Sequence, residues 1–133
     1  MKKTITFFAF LIVSLFSISA DCKDIENGKA TYYSKSCTSK TASGERMSPD
    51  IMTCAHKKHP FGTILKVTNK KNGKSVYVRV NDRGPFGKGI IVDLSWGAAK
   101  ELDMLRDGIV NVTVEVVEDE NLTPESDTEI SIE

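Results

Sequence analysis

Beyond its first twenty residues the chain has no long apolar run. With three cysteines, two histidines and one tryptophan among 133 residues, it is also poor in the side chains that build metal centres and disulfide scaffolds. It has no glycine-rich phosphate loop, and Ser43-Gly44-Glu45 is not a serine nucleophile elbow. The common nucleotide-binding and serine-hydrolase classes are therefore set aside. No internal repeat is present, which excludes a solenoid. No basic stripe is interleaved with aromatics, so nucleic acid is not an expected partner. Acids and bases balance at 18 each, but they are unevenly placed. From Glu118 to Glu133 there are seven acids and no base.

What is present begins with Met1-Lys2-Lys3, an apolar stretch from Phe7 to Val13, and small residues Ser17, Ser19 and Ala20. A positive start, apolar middle and small-residue end predict a signal peptide over residues 1–20 and hence export. The stretch is short for a membrane span, which needs roughly 20 residues. Cys22 follows Asp21, and lipidation of a cysteine needs a small residue before it. Membrane attachment is thus expected only if Cys22 is lipidated. Residues 21–27 are polar and read as a flexible N-terminal segment. Residues 118–133 have too little apolar content to pack and read as a disordered acidic tail. The part between leader and tail holds 16 bases against 11 acids, a net of +5. A mildly basic body suits an anionic polymer.

An odd cysteine count in an oxidising compartment makes Cys37 and Cys54 the favoured disulfide, because both lie inside the domain, with Cys22 left over. The sequence leaves that pairing open. Cys37, Cys54, His56 and His59 also admit a zinc reading, but their spacing matches no usual knuckle and export favours the disulfide. No metal and no cofactor are expected.

Short strands are predicted over 29–33, 51–55, 63–68, 75–81, 90–94 and 109–117. Asn72-Gly73 is a strong hairpin signal between the third and fourth. Ser95 is a good N-cap for a short helix carrying Ala98, Ala99, Leu102 and Leu105, with Gly108 after it. The 34–49 stretch, rich in Ser, Thr, Lys and Gly, is a long loop, and long loops in small domains are often functional. Short strands, tight turns and one or two short helices suggest a mainly β, small closed barrel, which would protect the valine-rich edges.

Three residues are candidates for chemistry. Alternation along Val76, Val78 and Val80 continues onto Asp82, predicting a carboxyl on the apolar side just where the chain turns. An acid sheltered from water keeps its proton longer and can give it to a leaving oxygen; an ordinary turn cap is the bland alternative. Glu45, in the long loop, could supply the second carboxylate that glycoside cleavage often needs, although most loop glutamates are simply solvated. His56 could hydrogen-bond substrate or orient a carboxylate, and a structural hydrogen bond is as good a reading. Tyr32, Tyr33, Phe61, Phe86 and Trp96 could stack on sugars or fill a core.

Taken together, Gly28 to Tyr33, Thr41 to Glu45, Thr53-Cys54-Ala55-His56, Pro60 to Thr63, Val78 to Phe86 (with its Asn-Asp-Arg-Gly-Pro-Phe string) and Ile91 to Ser95 resemble the rare lipoprotein A (RlpA) family in order and spacing, over 28–117. The resemblance implies a six-stranded double-psi β-barrel. It implies a bacterial lytic transglycosylase that cleaves peptidoglycan strands to 1,6-anhydro ends in the periplasm or at the cell surface, acting as a monomer. It places catalysis on Asp82, Glu45 and His56, and substrate binding on Tyr32, Thr41, Arg83, Phe86 and Asp93. The loop bearing Cys37 and the poor lipidation signal depart from the family pattern. The alternatives are a non-catalytic, expansin-like wall binder and a hydrolase that uses water.

Overall fold

Valine-rich alternation is the force behind the architecture: each inward Val or Leu, fully buried, contributes about 1.5–3 kcal/mol. A computed structural model describes residues 24–117. The leader, Cys22 and the acidic tail, with the expectations that fall on them, lie outside the described residues. The elements are β1 (Ile25–Tyr32), β2 (Thr53–His56), β3 (Ile64–Asn69), β4 (Ser75–Asp82), β5 (Ile90–Leu94), α1 (Trp96–Glu101) and β6 (Val110–Val116). The strands close into a barrel in the order β1-β5-β2-β4-β3-β6. The β1–β5 and β2–β4 pairs are parallel, and the rest are antiparallel. Leu65, Val67, Val78, Val80, Val92, Leu94, Val112 and Val114 fill the interior. Among the described residues no helix is long and apolar enough to cross a membrane.

The local signals hold at several points. Asn72-Gly73 turns β3 into β4, with Gly73 at φ +75° and its N–H on Asn69 O. The Ser95 side chain accepts from Ala98 N, capping α1. Gly97 sits where a Cβ would meet Pro49 O at 2.5 Å, so α1 can dock on the end of the long loop only with glycine there. Two expectations fail. The 21–27 segment is not loose throughout, because β1 already begins at Ile25 and pairs along β6, Asn27 opposite Thr113. Cys37 and Cys54 are free thiols, not a disulfide. Cys54 pairs with Leu94 and Val80 and is fully buried in the core, whereas Cys37 sits in the loop beyond the barrel wall with its sulfur on Ser39 Oγ.

Candidate active site

Residues paired across neighbouring strands share a face of the sheet. On β5, Val92 and Leu94 point into the core, so Asp93 between them faces outward. On β2, Cys54 points inward and Ala55 outward. Thr31 pairs with Asp93, Asp93 with Ala55, and Ala55 with Asp82. One row of residues thus crosses four adjacent strands on the outer wall, with an aspartate on either side of a single alanine.

Asp82 reaches that row by a change of register. Cys54 pairs with Val80 and Ala55 with Asp82, so Asn81 is an extra residue in β4. The bulge overturns the simple alternation, which placed Asp82 with Val76, Val78 and Val80. Instead Asp82 turns outward, and Asn81 is buried beneath the long loop, its carbonyl accepting from Ser43 N. Bulges re-aim side chains in this way at functional sites. The Asp82 carboxylate is held by three donors. Tyr33 Oη donates to Oδ2 at 2.7 Å, and the backbone N–H groups of Ala42 and Arg83 donate to Oδ1 at 2.9 Å each.

Glu45 arrives on the loop. Gly44 at φ +95° folds the segment back, and Thr41 N and Oγ1 both donate to Glu45 O. The buried Thr41 is therefore a brace for the loop. Arg79, outward-facing on β4, grips both Glu45 carboxylate oxygens. That hydrogen-bonded pair holds the Glu45 carboxyl below its ordinary pKa, against a smaller desolvation effect. Both side chains are more than a third exposed, so the pair contributes at most about 1 kcal/mol to stability. Its consequence is positional: an ionised Glu45 beside the bulge, fixed to the strand that carries Asp82.

Asp93 behaves oppositely. Burial pushes its pKa up, the charge of Asp82 adds to this, and the Thr31 Oγ1 donor at 3.0 Å only partly offsets it. Tyr33 lies near both acids. Burial, its bond to Asp82 and the two negative charges push its phenol far above the ordinary value, so it stays a donor.

The remaining candidates divide. Phe86 is 87% exposed, just past Asp82. The Arg83 guanidinium donates to the carbonyls of His56 and His59 and lies over the Phe61 ring at 4.1 Å, fastening the turn after β2. Tyr32 packs against the core, and its hydroxyl donates to Leu105 O; Tyr33 is the tyrosine at the acids. His56 is 2% exposed and pairs with Val92, on the opposite face of β2 from Ala55. Its Nδ1 accepts from the N–H groups of Lys58 and His59, so its proton sits on Nε2, 3.1 Å from Glu26 Oε2. Burial lowers its pKa despite Glu26. The zinc reading fails geometrically, because Cys54 is in the core and Cys37 outside the wall. The structure gathers Glu26, His56 and His59 instead, where His56 offers Glu26 a proton and not an ion a lone pair. Sequence reasoning missed Tyr33's part, Arg79 and Glu26. For Tyr33 the signal existed: buried Ala30 assigns Tyr32 inward and Thr31 and Tyr33 outward.

Barrel closure and strand order define a six-stranded double-psi β-barrel. Residues 25–114 match the model of the family described as lytic transglycolase, and the chain belongs to that family. It is 54% identical over 77 residues to a probable endolytic peptidoglycan transglycosylase RlpA of Nostoc, covering 58% of this chain and 21% of that protein. It is 44% identical over 107 residues to the Synechocystis counterpart, covering 80% and 33%. With the Vibrio cholerae endolytic peptidoglycan transglycosylase RlpA it shares 47% over 93 residues, covering 69% and 35%. The chain thus spans about a fifth to a third of the length of these relatives. Among solved structures, a Streptomyces papain inhibitor superposes with TM-score 0.59 at 25% identity, over 71% of this chain and 94% of that one. An expansin of Clavibacter michiganensis superposes with TM-score 0.58 at 28% identity, over 72% and 52%.

Proposed function

We propose that this domain is an exported lytic transglycosylase, cleaving between N-acetylmuramic acid and N-acetylglucosamine in peptidoglycan strands of the periplasm or cell surface, and working as a monomer. The observation that carries this reading is the re-aimed Asp82, held by Tyr33 and Ala42 beside an ionised Glu45. Family membership adds the reaction class. Cleavage requires one proton onto the oxygen leaving C1 and one proton off the C6 hydroxyl, which closes onto C1. Asp82 is the acid/base residue for these movements. Glu45, already a carboxylate, stabilises positive charge on the muramoyl ring. Using the sugar's own hydroxyl exploits proximity, which supplies up to about 7–11 kcal/mol. Exposed Phe86 stacks on a sugar, while Arg83, Thr41 and His56 hold the walls: Arg83 and His56 shape the turn after β2, and Thr41 shapes the loop.

The expansin likeness favours a second reading, a non-catalytic wall binder. Asp82→Asn separates the two. It is expected to keep the melting temperature within a few degrees and to lower release of anhydro-muropeptides from purified sacculi by about 10²–10⁴-fold, the usual contribution of a positioned acid or base. Unchanged release would remove Asp82 from the chemistry, and sacculi bound but never cut by the wild type would establish the binder.

A further inference from the structure

The two proton movements can be divided between two groups, and the outer row offers a second carboxyl not yet used. Asp93 and Asp82 both pair with Ala55, from opposite sides of β2. Strands lie about 4.8 Å apart, which puts the two backbones roughly 10 Å apart with both side chains on one face. Paired acids in glycoside cleavage stand about 5–9.5 Å apart, a separation within reach of two side chains that lean toward each other over one alanine. Glu45 is a poor proton donor, because Arg79 occupies both of its oxygens. Both oxygens of Asp82 are engaged as acceptors. Among the described residues, Asp93 accepts a side-chain hydrogen bond only from the Thr31 hydroxyl, on Oδ1.

We propose that Asp93 is the second catalytic carboxyl group: it delivers the proton to the departing glycosidic oxygen while the Asp82 carboxylate takes the C6-hydroxyl proton. This rests on the transglycosylase reading of the same site. The C1–oxygen bond breaks as the Asp93 proton joins that oxygen. The C6 oxygen bonds to C1 as its proton passes to Asp82. Turnover leaves Asp82 protonated and Asp93 ionised, and one proton crossing between them through solvent restores the site with no outside reactant. Burial and the neighbouring negative charge raise the affinity of Asp93 for its proton, in keeping with the donor's part.

The test uses two substrates: a denuded glycan strand, whose sugar leaving group needs protonation, and an aryl β-glycoside of N-acetylmuramic acid, whose phenol departs without it. Asp93→Asn is expected to lose about 10²-fold or more on the glycan and less than about tenfold on the aryl glycoside. Asp82→Asn is expected to lose both. Asp93→Glu, restoring the acid on a longer arm, is expected to keep more glycan activity than Asp93→Asn. Glycan cleavage by Asp93→Asn within about threefold of wild type would overturn the proposal. So would equal losses on the two substrates, or no advantage of Glu over Asn. A wild type that yields no anhydro ends from glycan would instead sink the transglycosylase reading itself.

Discussion

Glu45 and Asp93 are carboxylic acids on the same outer wall, yet the Arg79 pair holds the Glu45 carboxyl below its ordinary pKa and burial raises that of Asp93. The difference has a consequence for stability. In the unfolded chain Asp93 titrates as an ordinary aspartate, near pH ~3.9; in the fold its pKa is higher. The native state therefore binds more protons across that window, and the Asp93 contribution to stability falls as pH rises through it. Asp93→Asn, which cannot ionise, should melt a few degrees above wild type at pH 7, with the gain vanishing below the ordinary aspartate range. Calorimetry at both pH values checks this, and a variant less stable than wild type at pH 7 would contradict it. A stabilised variant with lost activity is the usual mark of a residue kept for chemistry.

At the scale of elements, β2 separates structure from chemistry within two residues. Cys54 faces the core, where burial pushes its thiol up to about 12, and Ala55 floors the row of acids. Brief iodoacetamide treatment of the native domain should alkylate Cys37 and spare Cys54, and mass spectrometry should find both modified after unfolding in denaturant. A Cys37–Cys54 crosslink, or equal native labelling, would contradict the inward placement. Much of this level was legible. The Val76-Val78-Val80 alternation, the Asn72-Gly73 turn and the Ser95 cap are local signals, and each appears where its residues put it. The bulge was not legible. It depends on how β2 registers against β4, and no pattern within β4 marks Asn81 as the extra residue. The Glu45 partner was hidden for the same reason: Arg79 is 34 residues away in the chain, and only the returning loop joins them. Asp82, Glu45 and Asp93 could be picked out by motif, but which acid is ionised depends on neighbours brought together by folding.

For the molecule as a whole, closure of the barrel makes one wall of β1, β5, β2 and β4 a rigid platform, with the long loop laid over its edge. The body between leader and tail carries a net positive charge, which suits a strand bearing carboxylates. The relatives extend well beyond the region shared with this chain. The most direct measurement is digestion of denuded peptidoglycan in ¹⁸O-labelled water, with the new muramoyl ends weighed by mass spectrometry. An internal nucleophile predicts ends lighter by one water and free of label, formed by wild type and absent with Asp82→Asn. Labelled reducing ends would show that water attacks C1 and would contradict the account.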